Sequence, residues 1–125
     1  MKIIDLKRLV KSFGYSFKGL IYTFKEEQNF RIHLFVASIV IILMVFFKVS
    51  MLEALILIIA MTLVIFAELV NSIFERIVDI LKPRIHDYAM IIKDMMAATV
   101  LVASLAAVAI GIIIFLPRII NLFNI

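Results

Sequence analysis

Glu68, Asn71, Glu75 and Asp79 fall at the end of a long apolar run in a chain that is 66% hydrophobic. On a helix turning about 100° per residue they lie at roughly 0°, 300°, 340° and 20°, a single narrow face. An acidic side chain at the centre of a membrane helix costs about 2.5–3.5 kcal/mol, and such residues usually mark a site. Carboxylates with few other ligands suit Mg²⁺, a hard cation that takes one or two acidic groups and completes its octahedron with phosphate and water. Two further polar clusters, Glu26-Glu27-Gln28-Asn29 and Lys93-Asp94, are expected at the same depth if the helical hairpins pack antiparallel. The expected result is a pocket of carboxylates, amides and basic side chains.

Other chemistries find less support. Cysteine is absent, which excludes disulfides, thiolate metal sites and a thiol nucleophile. Zinc is disfavoured further because His33 and His86 lie too far apart in sequence to form a motif. With only three glycines (Gly14, Gly19, Gly111) there is no glycine-rich phosphate cradle, so a nucleotide would be held by a metal and by cations. No convincing Ser/His/Asp arrangement exists.

The elements that must position these residues follow from hydropathy. At 125 residues the chain makes one small domain, and a mean hydropathy of +1.21 cannot be hidden in a water-soluble core of that size. An all-α membrane protein is expected. Leu6, Leu9, Val10, Phe13, Phe17, Leu20, Ile21 and Phe24 recur at helical spacing among basic residues. They describe an amphipathic helix over 1–28, lying on the membrane or packed on the bundle. Spans are expected at about 30–48, 51–81 and 89–116, with a tight turn at Lys48-Val49-Ser50. Pro83 ends the second span, and Pro117 with Arg118 closes the third. No removable signal peptide is expected.

All Lys and Arg residues except Lys48 and Arg118 lie in segments 1–31 and 76–93. Positive-inside reasoning therefore puts the N-terminus and the 82–88 connection in the cytoplasm, on the side where ATP is. The net charge of +4 flanks the spans, and no nucleic-acid partner is expected.

Each polar residue also has a plainer reading. Glu68 fits a pair with a basic residue of a neighbouring subunit, and Glu75 and Asp79 fit helix pairs with Arg76 or Lys82. Asn71 fits interhelical packing. Glu53 reads as a solvated helix-start residue, and His33 as a satisfied interfacial histidine rather than a ligand. A small oligomeric channel or proton-coupled carrier with an acidic conduction face is a second reading of the whole chain, and an inactive structural subunit a third.

Four segments resemble the bacterial membrane diacylglycerol kinase/undecaprenol kinase family. They are Gly14-Tyr15-Ser16-Phe17-Lys18-Gly19-Leu20, Phe24-Lys25-Glu26-Glu27-Gln28-Asn29, the run from Glu68 to Asp79, and Lys93-Asp94-Met95-Met96-Ala97-Ala98. The likeness covers nearly the whole chain in order and spacing. Phe47-Lys48-Val49-Ser50 and the tail from Ile113 to Arg118 look more like the undecaprenol-kinase branch, whereas the Gly14 to Leu20 stretch looks like the diacylglycerol branch. The lipid stays open on this basis.

The resemblance implies a homotrimer in the bacterial inner (cytoplasmic) membrane, with active sites shared between neighbours and the ATP γ-phosphoryl group passed to a lipid hydroxyl. It implies Glu68 as general base, Glu27 and Glu75 as ligands of Mg²⁺, and Arg8, Tyr15, Glu27, Glu75, His86, Lys93 and Asp94 as nucleotide contacts. Asn71 and Asp79 would support the site, and Ser16 would lie near the lipid headgroup with Glu68. The chain departs from the family pattern at Ile73-Phe74, Ile91-Ile92 and Thr99. These substitutions alter packing and pocket shape, but none removes an implied acid, base or metal ligand.

Overall fold

The computed structural model describes residues 2–124 as four helices: α1 (Leu6–Glu26), α2 (Gln28–Phe46), α3 (Met51–Leu81) and α4 (His86–Leu122). No strand occurs among the described residues. The last three helices are long and apolar enough to cross a membrane. α3 and α4 form the principal packed pair, α2 lies against α3, and α1 meets the start of α2.

α1 starts where Asp5 accepts a hydrogen bond from the Arg8 backbone N–H at 3.2 Å, satisfying one of the donors orphaned at a helix start. None of its residues is buried, so its apolar stripe is left uncovered, as a helix lying on a membrane requires. Glu27 breaks the helix with extended backbone angles (φ −109°, ψ 110°). The corner is held by Arg31, whose Nη1 donates to the Phe24 and Lys25 carbonyls at 2.7 and 2.9 Å. Those carbonyls would otherwise lack partners at the end of α1.

The connection between α2 and α3 is the expected tight turn. Val49 N–H bonds the Met44 carbonyl and Lys48 N–H bonds the Val45 carbonyl, with Lys48 in the left-handed region (φ 50°). This is a Schellman-type stop carrying lysine where glycine is usual. Ser50 and Glu53 then form a capping box that starts α3. Beside this turn Leu57, Ile114 and Phe115 are buried, and Val40, Leu43, Met44, Phe47, Val49 and Ile110 pack against them.

Two expectations are corrected. Glu53 is not a solvated helix-start residue: Arg118 grips both its oxygens, Nη1 to Oε2 at 2.7 Å and Nη2 to Oε1 at 2.9 Å. Nor does Pro117 close the last helix, because α4 continues to Leu122. Proline in an apolar helix is tolerated where neighbouring groups satisfy the disturbed backbone. Arg118 Nη1 also donates to the Ile114 carbonyl at 2.7 Å, next to the Ile113 carbonyl that Pro117 deprives of its helical donor.

Candidate functional site

The polar face of α3 passes from burial to exposure along the helix. Glu68, Asn71 and Ser72 are 2%, 5% and 4% exposed, Glu75 is half-buried and Asp79 is exposed. Period-3.6 spacing makes one stripe of them, and packing against α2 and α4 covers only its inner part. The Ser72 hydroxyl donates to the Glu68 carbonyl at 2.9 Å and is thereby committed to the backbone. Asn71 Nδ2 donates to Glu75 Oε1 at 3.4 Å, while the Asn71 amide oxygen is buried with no partner.

Each of the other elements contributes to this face. From α2, His33 Nε2 lies 3.7 Å from Glu68 Oε2. From the corner, Glu27 Oε1 accepts from Arg76 Nη1 at 2.6 Å, which holds Glu27 against the 72–76 turn of α3. Arg76 also donates to the Ser72 carbonyl (3.3 Å) and to the Tyr22 hydroxyl of α1 (3.4 Å), with its guanidinium 5.0 Å from the Tyr22 ring centroid. From α4, Lys93 Nζ donates to Asp79 Oδ1 at 2.5 Å. The cation partners therefore differ from the helix-local pairs considered from sequence. Arg76 pairs with Glu27 and Asp79 with Lys93, while Glu75 pairs with no Lys or Arg among the described residues.

The structure thus brings together Glu27, Glu68, Asn71, Glu75, Asp79 and Lys93. Ser16 borders the same region: it lines a groove between α1 and α3 that also includes Ser72, Ile73 and Arg76. The remaining candidates stand apart within one chain. Arg8 is exposed near the start of α1, and Tyr15 is exposed with Lys18 Nζ 5.8 Å from its ring centroid. His86 lies at the exposed start of α4, 3.6 Å from Asp87, and Asp94 is exposed. Sequence reasoning missed Arg76 and Tyr22 as organisers of the corner and His33 as the neighbour of Glu68. Their links cross between helices, and periodicity within one helix carries no signal for them.

Among the described residues no three His, Asp or Glu side chains converge as a self-sufficient metal site. The donor set at the polar face is nevertheless of the right type for Mg²⁺ arriving with phosphate. Among the described residues Glu75 meets no Lys or Arg, Glu27 keeps one oxygen outside its bond to Arg76, and the Asn71 amide oxygen is buried without a donor. Two carboxylates and a carbonyl are hard ligands, and Mg²⁺ ordinarily completes its shell from water and phosphate.

The family model described as prokaryotic diacylglycerol kinase matches residues 14–115. A diacylglycerol kinase of Synechocystis is 35% identical over 115 residues, which is 91% of this chain and 66% of that protein. An undecaprenol kinase of Bacillus subtilis is 32% identical over 114 residues, covering 91% of this chain and 93% of the relative. A diacylglycerol kinase of Haemophilus influenzae is 35% identical over 102 residues, covering 82% and 86%.

Proposed function

The chain belongs to the prokaryotic diacylglycerol kinase family, and on that premise we propose that it transfers the γ-phosphoryl group of ATP to the hydroxyl of a membrane lipid, undecaprenol or diacylglycerol. Membership makes it a bacterial membrane lipid kinase with a nucleotide substrate. The products would be ADP and undecaprenyl phosphate or phosphatidic acid.

The observation that carries this reading is Glu68, a carboxylate only 2% exposed, at the inner end of a face that opens through Asn71 and Glu75 towards Asp79. A lipid hydroxyl can reach such a group from within the bilayer, while a nucleotide approaches from the exposed end. In the reaction the lipid O–H bond breaks and its proton passes to Glu68. The lipid oxygen bonds to the γ-phosphorus as the bond from that phosphorus to the β–γ bridging oxygen breaks, and ADP leaves. Positioning and charge neutralisation dominate such a transfer. Glu27 and Glu75 would hold Mg²⁺ with the Asn71 amide oxygen nearby, and the bound cation would supply neutralisation of the phosphate charge. Lys93, tied to Asp79, would present its ammonium group towards phosphate. Orientation with the polar face in the cytoplasm follows from the basic flanks of segments 1–31 and 76–93.

Arg8, Tyr15, His86 and Asp94 fit the reading through a homotrimer, in which each site takes side chains from two neighbouring subunits.

Purified protein in mixed micelles with ATP, Mg²⁺ and either lipid tests the proposal. Lipid-dependent phosphate transfer is expected, and competition between the two lipids identifies the preferred one. No transfer to either lipid from an intact oligomer would overturn it.

A further inference from the structure

His33 reads from sequence as an ordinary histidine at the start of a span, and the family resemblance assigns it nothing. In the structure its Nε2 lies 3.7 Å from Glu68 Oε2, where the two side chains are 21% and 2% exposed. We propose that His33 is a proton-accepting partner of Glu68, relieving the carboxylate of the proton taken from the lipid hydroxyl. The inference rests on the reading of Glu68 as general base and extends it to the step that resets the enzyme.

A buried carboxylate that has accepted a proton must lose it before the next turnover. With the carboxylates of Glu27 and Glu75 assigned to the metal, the other groups facing this region from each packed element leave one suitable acceptor. On α3, the Ser72 hydroxyl donates to the Glu68 carbonyl, Asn71 donates to Glu75, and Arg76 is bound to Glu27 of the corner. Asp79 lies at the exposed end of the face, bound to Lys93 of α4. From α1, the Tyr22 hydroxyl accepts from Arg76. An arginine or lysine already carries its proton, whereas imidazole exchanges one near neutral pH. Among the described residues, His33 is also the only titratable one lining an apolar groove of about 350 Å³ between the three spans.

The proton balance is direct. The lipid O–H proton passes to Glu68 as the new P–O bond forms, then moves to His33 Nε2, which must be unprotonated to receive it. The resulting imidazolium pairs with the regenerated carboxylate and later releases a proton to solvent. The 3.7 Å separation is slightly beyond hydrogen-bonding length, so transfer needs a small closing movement of either side chain.

The test uses His33→Gln, whose amide can still bond Glu68 but cannot titrate. In the purified oligomer kcat is expected to fall by about 10- to 100-fold with KM for ATP unchanged. One ionisation is expected to disappear from the pH profile of kcat, and free imidazole should partly restore turnover in His33→Ala. Unchanged kcat and an unchanged pH profile in His33→Gln would overturn the proposal. Glu68→Gln separates the two levels. If it is inactive while His33→Gln is normal, only the His33 role fails; if it stays active, the general-base reading fails. Should the His33 variants not fold, the histidine ring resonances of the wild-type chain and of Glu68→Gln give the answer. A moved His33 titration midpoint supports the pairing, and an unmoved one contradicts it.

Discussion

Two of the three glutamates of α3, Glu53 in its first turn and Glu68 past its middle, are treated in opposite ways. At the hairpin end Glu53 is closed in on itself: it completes a capping box with Ser50 and receives both arms of Arg118. Nearby, the Phe47 and Phe115 rings pack with centroids 6.1 Å apart, so charge pair and apolar cluster together tie α2, α3 and α4. On the polar face Glu68 is the more deeply buried of the two, yet its nearest ionisable partner is a histidine at 3.7 Å. One turn on, the Asn71 oxygen has no donor, and Glu75 has no cation among the described residues. A bidentate Arg–carboxylate pair is strong and geometrically fixed, whereas buried polar atoms left unpaired cost stability and call for an explanation. What separates architecture from chemistry along this helix is hydrogen-bond satisfaction, not the number of charges.

The largest way to break that contrast is at Glu68. Glu68→Gln keeps the shape and removes the base, so turnover is expected to fall about 10²- to 10⁴-fold while equilibrium nucleotide binding persists. A parallel loss of binding would mean that Glu68 holds the nucleotide instead. Glu75→Gln comes next: a severalfold rise in the Mg²⁺ concentration giving half-maximal turnover, read from metal titrations at fixed ATP. An unchanged titration would remove Glu75 from the metal site.

The hairpin end should respond differently. Arg118→Ala leaves Glu53 without its fork, so thermal unfolding in micelles should shift down by a few degrees with turnover per folded molecule preserved. A large loss of turnover at unchanged stability would merge the two ends into one functional unit. The smallest effect is expected from Lys48→Gly. Relief of the left-handed strain at φ 50° is offset by the greater freedom of glycine in the unfolded chain, leaving a slight rise in the midpoint or none.

The contrast was only half legible in the sequence. Spacing alone put Glu68, Asn71, Glu75 and Asp79 on one face, because a helix repeats every 3.6 residues whatever surrounds it. Pro83 and the Lys48-Val49-Ser50 stretch marked their turns because their preferences are local. The partner of each charge was not legible. Glu53 and Arg118 are 65 residues apart, and Glu27 and Arg76 are 49 apart; these contacts exist only after the helices have packed. His33 was undervalued for the same reason. Pro117 misled because its breaking tendency is strongest in water, whereas α4 continues through it in an apolar setting.

The most direct test of the central claim compares Glu53 and Glu68 of α3 in one experiment. Glu53→Gln and Glu68→Gln, purified as intact oligomers in matched micelles, are assayed for ATP-dependent phosphate transfer to undecaprenol and to diacylglycerol. The expected result is transfer by Glu53→Gln close to the unsubstituted protein and almost none by Glu68→Gln. Near-normal transfer by Glu68→Gln would contradict the assignment of catalysis to the polar end.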